Sequence, residues 1–241
     1  MSWHSAATPH APTPRLATVD ILRAARIFAE LPVEVLDRLA EASVRRAYGR
    51  HQYLWSQGDE GGCLVIVASG LVKVVLGREN GDEVQLTTLG TGETLGELAL
   101  LDGAPRSASV VAVEPTTVLM LSRATVLGLM VDHPAVLDAL LLSLGGLVRR
   151  LTEQTGDLVF LDLDGRLAKL LLRLAEAHGE AATLTVVDLG PSRSDLASMV
   201  GATRFAVNRA LQGMAARGLI TVDGRVIVLR DVPALRRHAD A

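Results

Sequence analysis

The stretch Gly92–Val110, GETLGELALLDGAPRSASV, gathers residue types that could hold a phosphate. Gly96-Glu97 opens a short apolar helical turn, and Asp102-Gly103-Ala104-Pro105 connects it tightly to Arg106-Ser107-Ala108 and a β-type run. A helix that begins near Gly96 aims backbone N–H groups and the positive end of its dipole at an anion. Arg106 offers phosphate oxygens a planar, permanently charged fork of donors. Ser107 adds a hydroxyl donor, and Ala108 keeps the wall low. Glu97 can accept from a ribose hydroxyl but repels a second phosphate. Taken singly, the Gly-Glu pair is an ordinary helix start and Pro-Arg-Ser an ordinary strand entry. In this order and spacing, they suit one phosphate beside a sugar hydroxyl.

A second constellation lies near the C-terminus. Pro191-Ser192 caps a helix over Arg193–Val200, Gly201 turns the chain, and Thr203 caps a second helix to about Arg217. Ala197 is small and inward, and Val207 and Leu211 are apolar, which is helix-turn-helix spacing. Arg204, Phe205, Asn208 and Arg209 point outward from the N-terminal half of the second helix, the half that enters the major groove in such folds. Arginine can read guanine, and asparagine adenine, through paired hydrogen bonds. Arg193 and the hydroxyls of Ser192 and Thr203 are candidate phosphate contacts, which position without specifying. Leu219–Val222, Asp223-Gly224 and Arg225–Leu229 read as a hairpin wing, followed by a terminal helix to Ala239.

Both groups need a frame. The 241 residues are 49% hydrophobic, enough to fill one or two cores. Val19–Ala29 and Val33–Ala42 read as helices. Short β segments follow near Val44–Tyr48, Gln52–Trp55, Cys63–Ala68, Leu71–Leu76, Glu83–Leu89, Thr94–Leu95, Ala108–Ala112 and Thr117–Ser122, with Asn80-Gly81 as a hairpin signal. Such spacing predicts a barrel or jelly roll, with the phosphate segment set between two of its strands. After a short helix, Arg123–Val131, a long one runs from Ala135 to about Leu161. Leu137, Leu140, Leu144, Leu147, Leu151, Leu158 and Leu161 alternate at three- and four-residue steps, with Gln154 in register: the seam of a two-stranded coiled coil. An ordinary helix packed on its own barrel is the competing reading, and Gly145-Gly146 either allows close approach or softens the helix. Asp162–Gly165 is expected to be a hinge before a helix over Arg166–His178. Domain expectations are a disordered tail over 1–18, a barrel over 19–134, a dimerisation helix over 135–161 and a DNA-binding domain over 162–241.

The net charge of −3 is unevenly spread. From Ser192 onward, eight arginines against four aspartates give +4, which leaves −7 for the rest. A basic end on an acidic body fits a polyanionic partner at that end alone. The single cysteine, Cys63, excludes an internal disulfide, a cysteine-ligated iron–sulfur cluster and a zinc finger, and fits a reducing cytoplasm. No stretch reads as a transmembrane span or secretory signal, so no membrane role is expected.

The segment around Gly96 and Arg106 resembles the phosphate-binding cassette of cyclic-nucleotide-binding domains. From about Ile21 to Leu235 the chain resembles the cyclic AMP receptor protein (CRP/FNR) family of bacterial transcription regulators. The resemblance implies an α+β fold: a β jelly-roll barrel, a long dimerisation helix and a C-terminal winged helix-turn-helix. It implies a 3′,5′-cyclic nucleotide in the barrel, cyclic AMP first and cyclic GMP second, with no other cofactor. Gly96, Glu97, Arg106 and Ser107 match the family's phosphate and ribose contacts. Leu86, Thr87 and Leu98 fall where the chain passes the ligand, and the base is expected near Leu151 and Thr152. Arg204 and Arg209 match arginines that the family uses on guanines, whereas Phe205 stands where a glutamate is common. Implied partners are a second copy of the chain, double-stranded DNA with a two-fold-symmetric site, and RNA polymerase. Leu147 and Leu151 depart from the family's polar residues, which keeps open a regulator that is ligand-independent or senses another effector. A haem or redox sensor finds little in Cys63, His51, His133 and His178. No enzyme motif is present, and the helix-turn-helix disfavours a subunit acting only on a protein partner.

Overall fold

The computed structural model describes residues 15–77, 83–177, 185–188, 193–224 and 226–239. They fall into two units: one runs to Gly77 and resumes over Leu86–Leu147, and the other takes the segment ending at Gln85 and the chain from Val148 onward. No single helix among the described residues is long and apolar enough to cross a membrane.

In the first unit, β1 (Val44–Tyr48), β8 (Thr116–Ser122), β3 (Cys63–Ser69) and β6 (Thr94–Leu95) form a sheet in the order β1-β8-β3-β6. A second sheet takes β2 (Tyr53–Trp55), β7 (Ser109–Ala112), β4 (Val72–Gly77) and β5 (Glu83–Leu89) in the order β2-β7-β4-β5. Alternate residues of a strand face opposite sides, and β3 is apolar on both. Cys63, Val65 and Val67 pack with Val72, Leu95, Val110, Ala112 and Val118, which come from both sheets. Leu64, Ile66 and Ala68 pack the other way, against Phe28 and helical residues that include Leu22, Leu36, Leu100 and Leu140. β3 therefore fixes the two layers, and each fully buried aliphatic side chain on it contributes about 1.5–3 kcal/mol.

The helices of this layer are α1 (Arg15–Ala24), α2 (Val33–Ala42), α3 (Glu97–Asp102), α4 (Arg123–Asp132) and the start of α5 (Pro134–Phe160). Two boundaries differ from the sequence expectation. α1 begins at Arg15, inside the stretch read as a tail, because Val19 and Leu22 are buried and one further turn extends the helix that carries them. It ends at Ala24 instead of Ala29. Phe28 N donates to Ala25 O at 2.9 Å and Leu31 N to Phe28 O at 3.1 Å, and these tight turns carry Ile27, Phe28 and Leu31 into the core before Pro32. The Asn80-Gly81 hairpin signal lies outside the described residues.

The apolar stripe on α5 also differs. Leu140 is 1% exposed and belongs to the core, so it is not available to an outward seam. The outward stripe takes Leu141 and Val148 in place of Leu140 and Leu147, and runs Leu137, Leu141, Leu144, Val148, Leu151, Thr155 and Leu158. It keeps the alternating four- and three-residue step. Leu161 lies beyond the end of the helix.

In the second unit, α6 (Leu163–Ala177), α7 (Arg193–Val200), α8 (Arg204–Ala216) and α9 (Val232–Ala239) pack with a sheet of β10 (Ile220–Asp223), β11 (Val226–Leu229) and β9 (Thr185–Asp188), in the order β10-β11-β9. Leu167, Leu171, Leu196, Val207, Leu211, Met214 and Leu235 form its core. The segment expected to be a hinge, Asp162–Gly165, is helical from Leu163. Asp162 Oδ1 accepts from Gly165 N at 2.8 Å, an N-cap that starts α6 at Leu163. Gly165 then lies within the helix, and a Cβ there would meet His238 O at 2.8 Å, so glycine lets α9 approach α6. Arg166 bridges Leu161 O at 2.8 Å and Val200 O at 3.1 Å, which ties α7 to the start of α6.

Candidate functional site

α3 has only six residues and is held at both ends. Gly96 precedes it with φ +88°, a left-handed conformation that costs a glycine nothing. Gly103 closes it with φ +72°, its N–H donating to Ala99 O at 3.1 Å. Arg123 holds the last carbonyls, Nε to Leu100 O at 2.6 Å and Nη2 to Leu101 O at 3.2 Å. The cation at the negative end of the dipole stabilises a helix too short to persist alone.

Arg106 is placed with equal care. Its backbone N donates to Asp59 O at 2.8 Å, and its carbonyl accepts from Gly58 N at 2.9 Å. The side chain is 4% exposed. Nη1 donates to Gly96 O at 3.2 Å, and Nη2 to Cys63 O at 2.9 Å and Cys63 Sγ at 3.2 Å. The guanidinium carbon lies 4.1 Å from the centre of the Trp55 ring. Trp55 is itself fixed, since its indole N–H donates to Ala108 O at 3.0 Å. Arg106 Nε is buried and has no hydrogen-bond partner. A buried charged donor without an acceptor is costly, and an anion at the cassette would satisfy it. The residues present thus fit a phosphate. Burial raises the Cys63 thiol above its ordinary value, partly offset by the Arg106 charge. Cys63 therefore faces the guanidinium as a neutral thiol.

In the second unit, Gly201 turns the chain between α7 and α8 with φ +65°, and Ala202 N donates to Ala197 O at 2.9 Å. Thr203 Oγ1 accepts from Ala206 N at 3.2 Å, the cap that starts α8. Val207, Ala210, Leu211 and Met214 bury one face of α8. The opposite face leaves Arg204 and Arg209 exposed and Phe205 77% exposed. Asn208 is half-buried and accepts from Arg193 Nη1 at 2.9 Å. A convex helix face bearing two arginines, after a tight turn and before a hairpin, is the geometry of a DNA major-groove reader.

Comparison with known proteins agrees with both halves. Residues 45–133 match the cyclic nucleotide-binding domain family, and residues 165–238 match the Crp-like helix-turn-helix domain family. A CRP-like cAMP-activated global transcriptional regulator from Mycobacterium tuberculosis is 32% identical over 223 residues, covering 91% of this chain and 99% of its own. The cyclic AMP receptor protein of Thermus thermophilus is 32% identical over 222 residues, covering 90% of this chain and 98% of its own. This chain belongs to the cyclic AMP receptor protein (CRP/FNR) family of bacterial transcription regulators. Among solved structures, the c-di-GMP responsive regulator CLP of Xanthomonas campestris matches with a TM-score of 0.74 and 26% identity, covering 83% of this chain and all of its own. The family consists of DNA-binding regulators, and the α+β fold expected from sequence is the one found.

Within that family frame, the expected site residues are placed as follows. Gly96, Glu97 and Arg106 come together around the start of α3, with Glu97 half-buried in its first turn. Ser107 and Leu98 are exposed, and Leu86 and Thr87 are half-buried on β5. Leu151 and Thr152 lie on the part of α5 that belongs to the second unit, both exposed. The Thr152 hydroxyl donates to Val148 O at 2.9 Å within its own helix. Arg204, Phe205 and Arg209 share the exposed side of α8, and Thr203, also exposed, caps it. Arg193 is engaged with Asn208, and Ser192 lies outside the described residues. Sequence reasoning missed Trp55, Cys63 and Arg123. The first two stand 51 and 43 positions before Arg106 in the chain, and no local spacing connects them to it.

Proposed function

We propose that the protein is a homodimeric transcription regulator whose affinity for DNA is set by a cyclic nucleotide, cyclic AMP first, held at the Gly96–Arg106 cassette. The observation that carries the reading is Arg106: buried, charged, beside a left-handed glycine at a helix start, with an Nε that finds no acceptor. Arg106 would take the phosphate together with N–H groups of the first turn of α3 and the Ser107 hydroxyl. Glu97 would accept from the ribose. The c-di-GMP responsive relative widens the set of effectors to test, and the cAMP-activated relatives support cyclic AMP as the first of them.

Dimerisation is proposed along the α5 stripe of Leu137, Leu141, Leu144, Val148, Leu151 and Leu158. Two copies would then present two α8 helices to a two-fold-symmetric operator, about one helical turn apart. Arg204 and Arg209 would read guanines, Phe205 would touch a thymine methyl, and Thr203 and Ser192 would contact phosphates. Ligand would shift the population between two arrangements of the DNA-binding units, with RNA polymerase as the further partner in the cytoplasm. A second reading, a regulator that is ligand-independent or answers to another effector, is favoured by one observation. Leu151 is apolar and the Thr152 hydroxyl is already engaged with its own helix. Calorimetric titrations with cyclic AMP, cyclic GMP and c-di-GMP, followed by mobility shifts with each, test the two readings. Heat and tighter DNA binding with cyclic AMP support the first, and neither with any of the three supports ligand independence.

A further inference from the structure

Arg193 is the first residue of α7, and Asn208 lies in the second turn of α8. Arg193 Nη1 donates to Asn208 Oδ1 at 2.9 Å, and both side chains are half-buried, while Arg204, Phe205 and Arg209 around them are exposed. A guanidinium has donors only. The contact therefore settles which end of the Asn208 amide is oxygen: a flipped amide would set its NH2 group against another donor and lose the bond. Among the described residues nothing else engages the amide, so Oδ1 keeps its second lone pair and Nδ2 both donors. The amide then offers acceptor and donor in one fixed order, which is what paired recognition of a base edge requires. An amide that nothing holds can turn over and present either order.

We propose that Arg193 is a specificity-positioning residue, which orients the Asn208 amide so that α8 discriminates one base pair of the operator. The inference rests on the reading of α8 as the DNA-contacting helix. It differs from the phosphate role that sequence alone gives Arg193. A phosphate contact acts by counterion release, weakens every sequence alike and steepens the salt dependence. A positioning contact leaves sequence-independent binding in place and acts at one base step only.

The test starts with duplexes selected from a randomised pool by the full-length protein in the presence of cyclic AMP. Dissociation constants are then measured by mobility shift for the selected duplex and its single-base variants. The proteins are wild type, Asn208→Ala, Arg193→Ala, Arg193→Met, which keeps the apolar stem, and the Arg193→Met/Asn208→Ala double variant. Asn208→Ala and both Arg193 variants are expected to lose about ten-fold of discrimination at the same base pair. The double variant is expected to lose no more than Asn208→Ala alone, with the salt slope nearly unchanged. Arg193 variants that weaken all duplexes equally, lower the slope by about 0.9 and add to Asn208→Ala would overturn the proposal. An Asn208→Ala variant with unaltered base preference would overturn the proposal alone, whereas Arg204→Ala and Arg209→Ala variants that also keep wild-type affinity and base preference would overturn the reading of α8.

Discussion

Gly96→Ala and Gly103→Ala make a matched pair that isolates what Arg106 does. Both glycines have left-handed φ, +88° and +72°. A side chain in that region costs roughly 1–2 kcal/mol at either position. At Gly103 a Cβ meets nothing within 4 Å, so the conformational cost is all. At Gly96 a Cβ collides with Arg106 Nη1 and lies 3.1 Å from Cys63 O. The guanidinium must move, which gives up the bond to Gly96 O and strains those to Cys63. A hydrogen bond to a charged group is worth about 1.5–3 kcal/mol, so Gly96→Ala should cost about 2.5–5 kcal/mol in all. Denaturant unfolding measures that difference. Calorimetry with cyclic AMP adds a second readout: Gly96→Ala should weaken binding by roughly ten- to hundred-fold, the equivalent of losing one such bond, while Gly103→Ala leaves it within a few-fold. Equal stability losses and equal affinities for the two variants would refute the account of how Arg106 is held.

Trp55→Leu removes the ring beneath Arg106 and should weaken cyclic AMP binding by about 1–2 kcal/mol, since the cation–π contact is desolvated. In the wild type, ligand binding should shift the Trp55 emission. Leu141→Lys with Val148→Lys places charge on the outward stripe of α5 and should convert a dimer to a monomer in sedimentation, whereas Gln154→Lys should not. Alkaline stability should report on Cys63. Its folded thiol titrates above the ordinary value of 9.0, so its contribution is fully present below that pH and is lost as pH rises through the folded value. Guanidinium unfolding from pH 7 to 11 should show stability falling above about pH 9, and Cys63→Ala should remove part of that fall. Tyr48, whose phenol burial also raises above 10.0, contributes in the same direction.

The parts of the site that were legible in sequence are those built from neighbours in the chain. Gly96-Glu97 and Arg106 flank one short helix, and Gly201 with Thr203 writes the turn and cap of α8 within three residues. The surroundings of Arg106 were not legible, because Trp55 and Cys63 reach it through the folding of β2 and β3 into different sheets. The α5 seam shows a different limit. Apolar residues occupy both the Leu140–Leu147 and the Leu141–Val148 positions, so periodicity alone could not say which row faces out. Packing of Leu140 into the barrel core decides it. α1 ended early for a similar reason, since Phe28 and Leu31 fit a helical period but are buried through tight turns.

The central claim is that a cyclic nucleotide at the cassette controls DNA binding through Arg106. One measurement addresses it directly: the affinity of the wild type and Arg106→Gln for a selected operator, with and without cyclic AMP. The wild type is expected to bind the operator at least ten-fold more tightly with cyclic AMP, and Arg106→Gln to bind it equally weakly in both conditions. A wild type whose affinity is the same with and without cyclic AMP, or an Arg106→Gln variant that responds as the wild type does, would contradict the account.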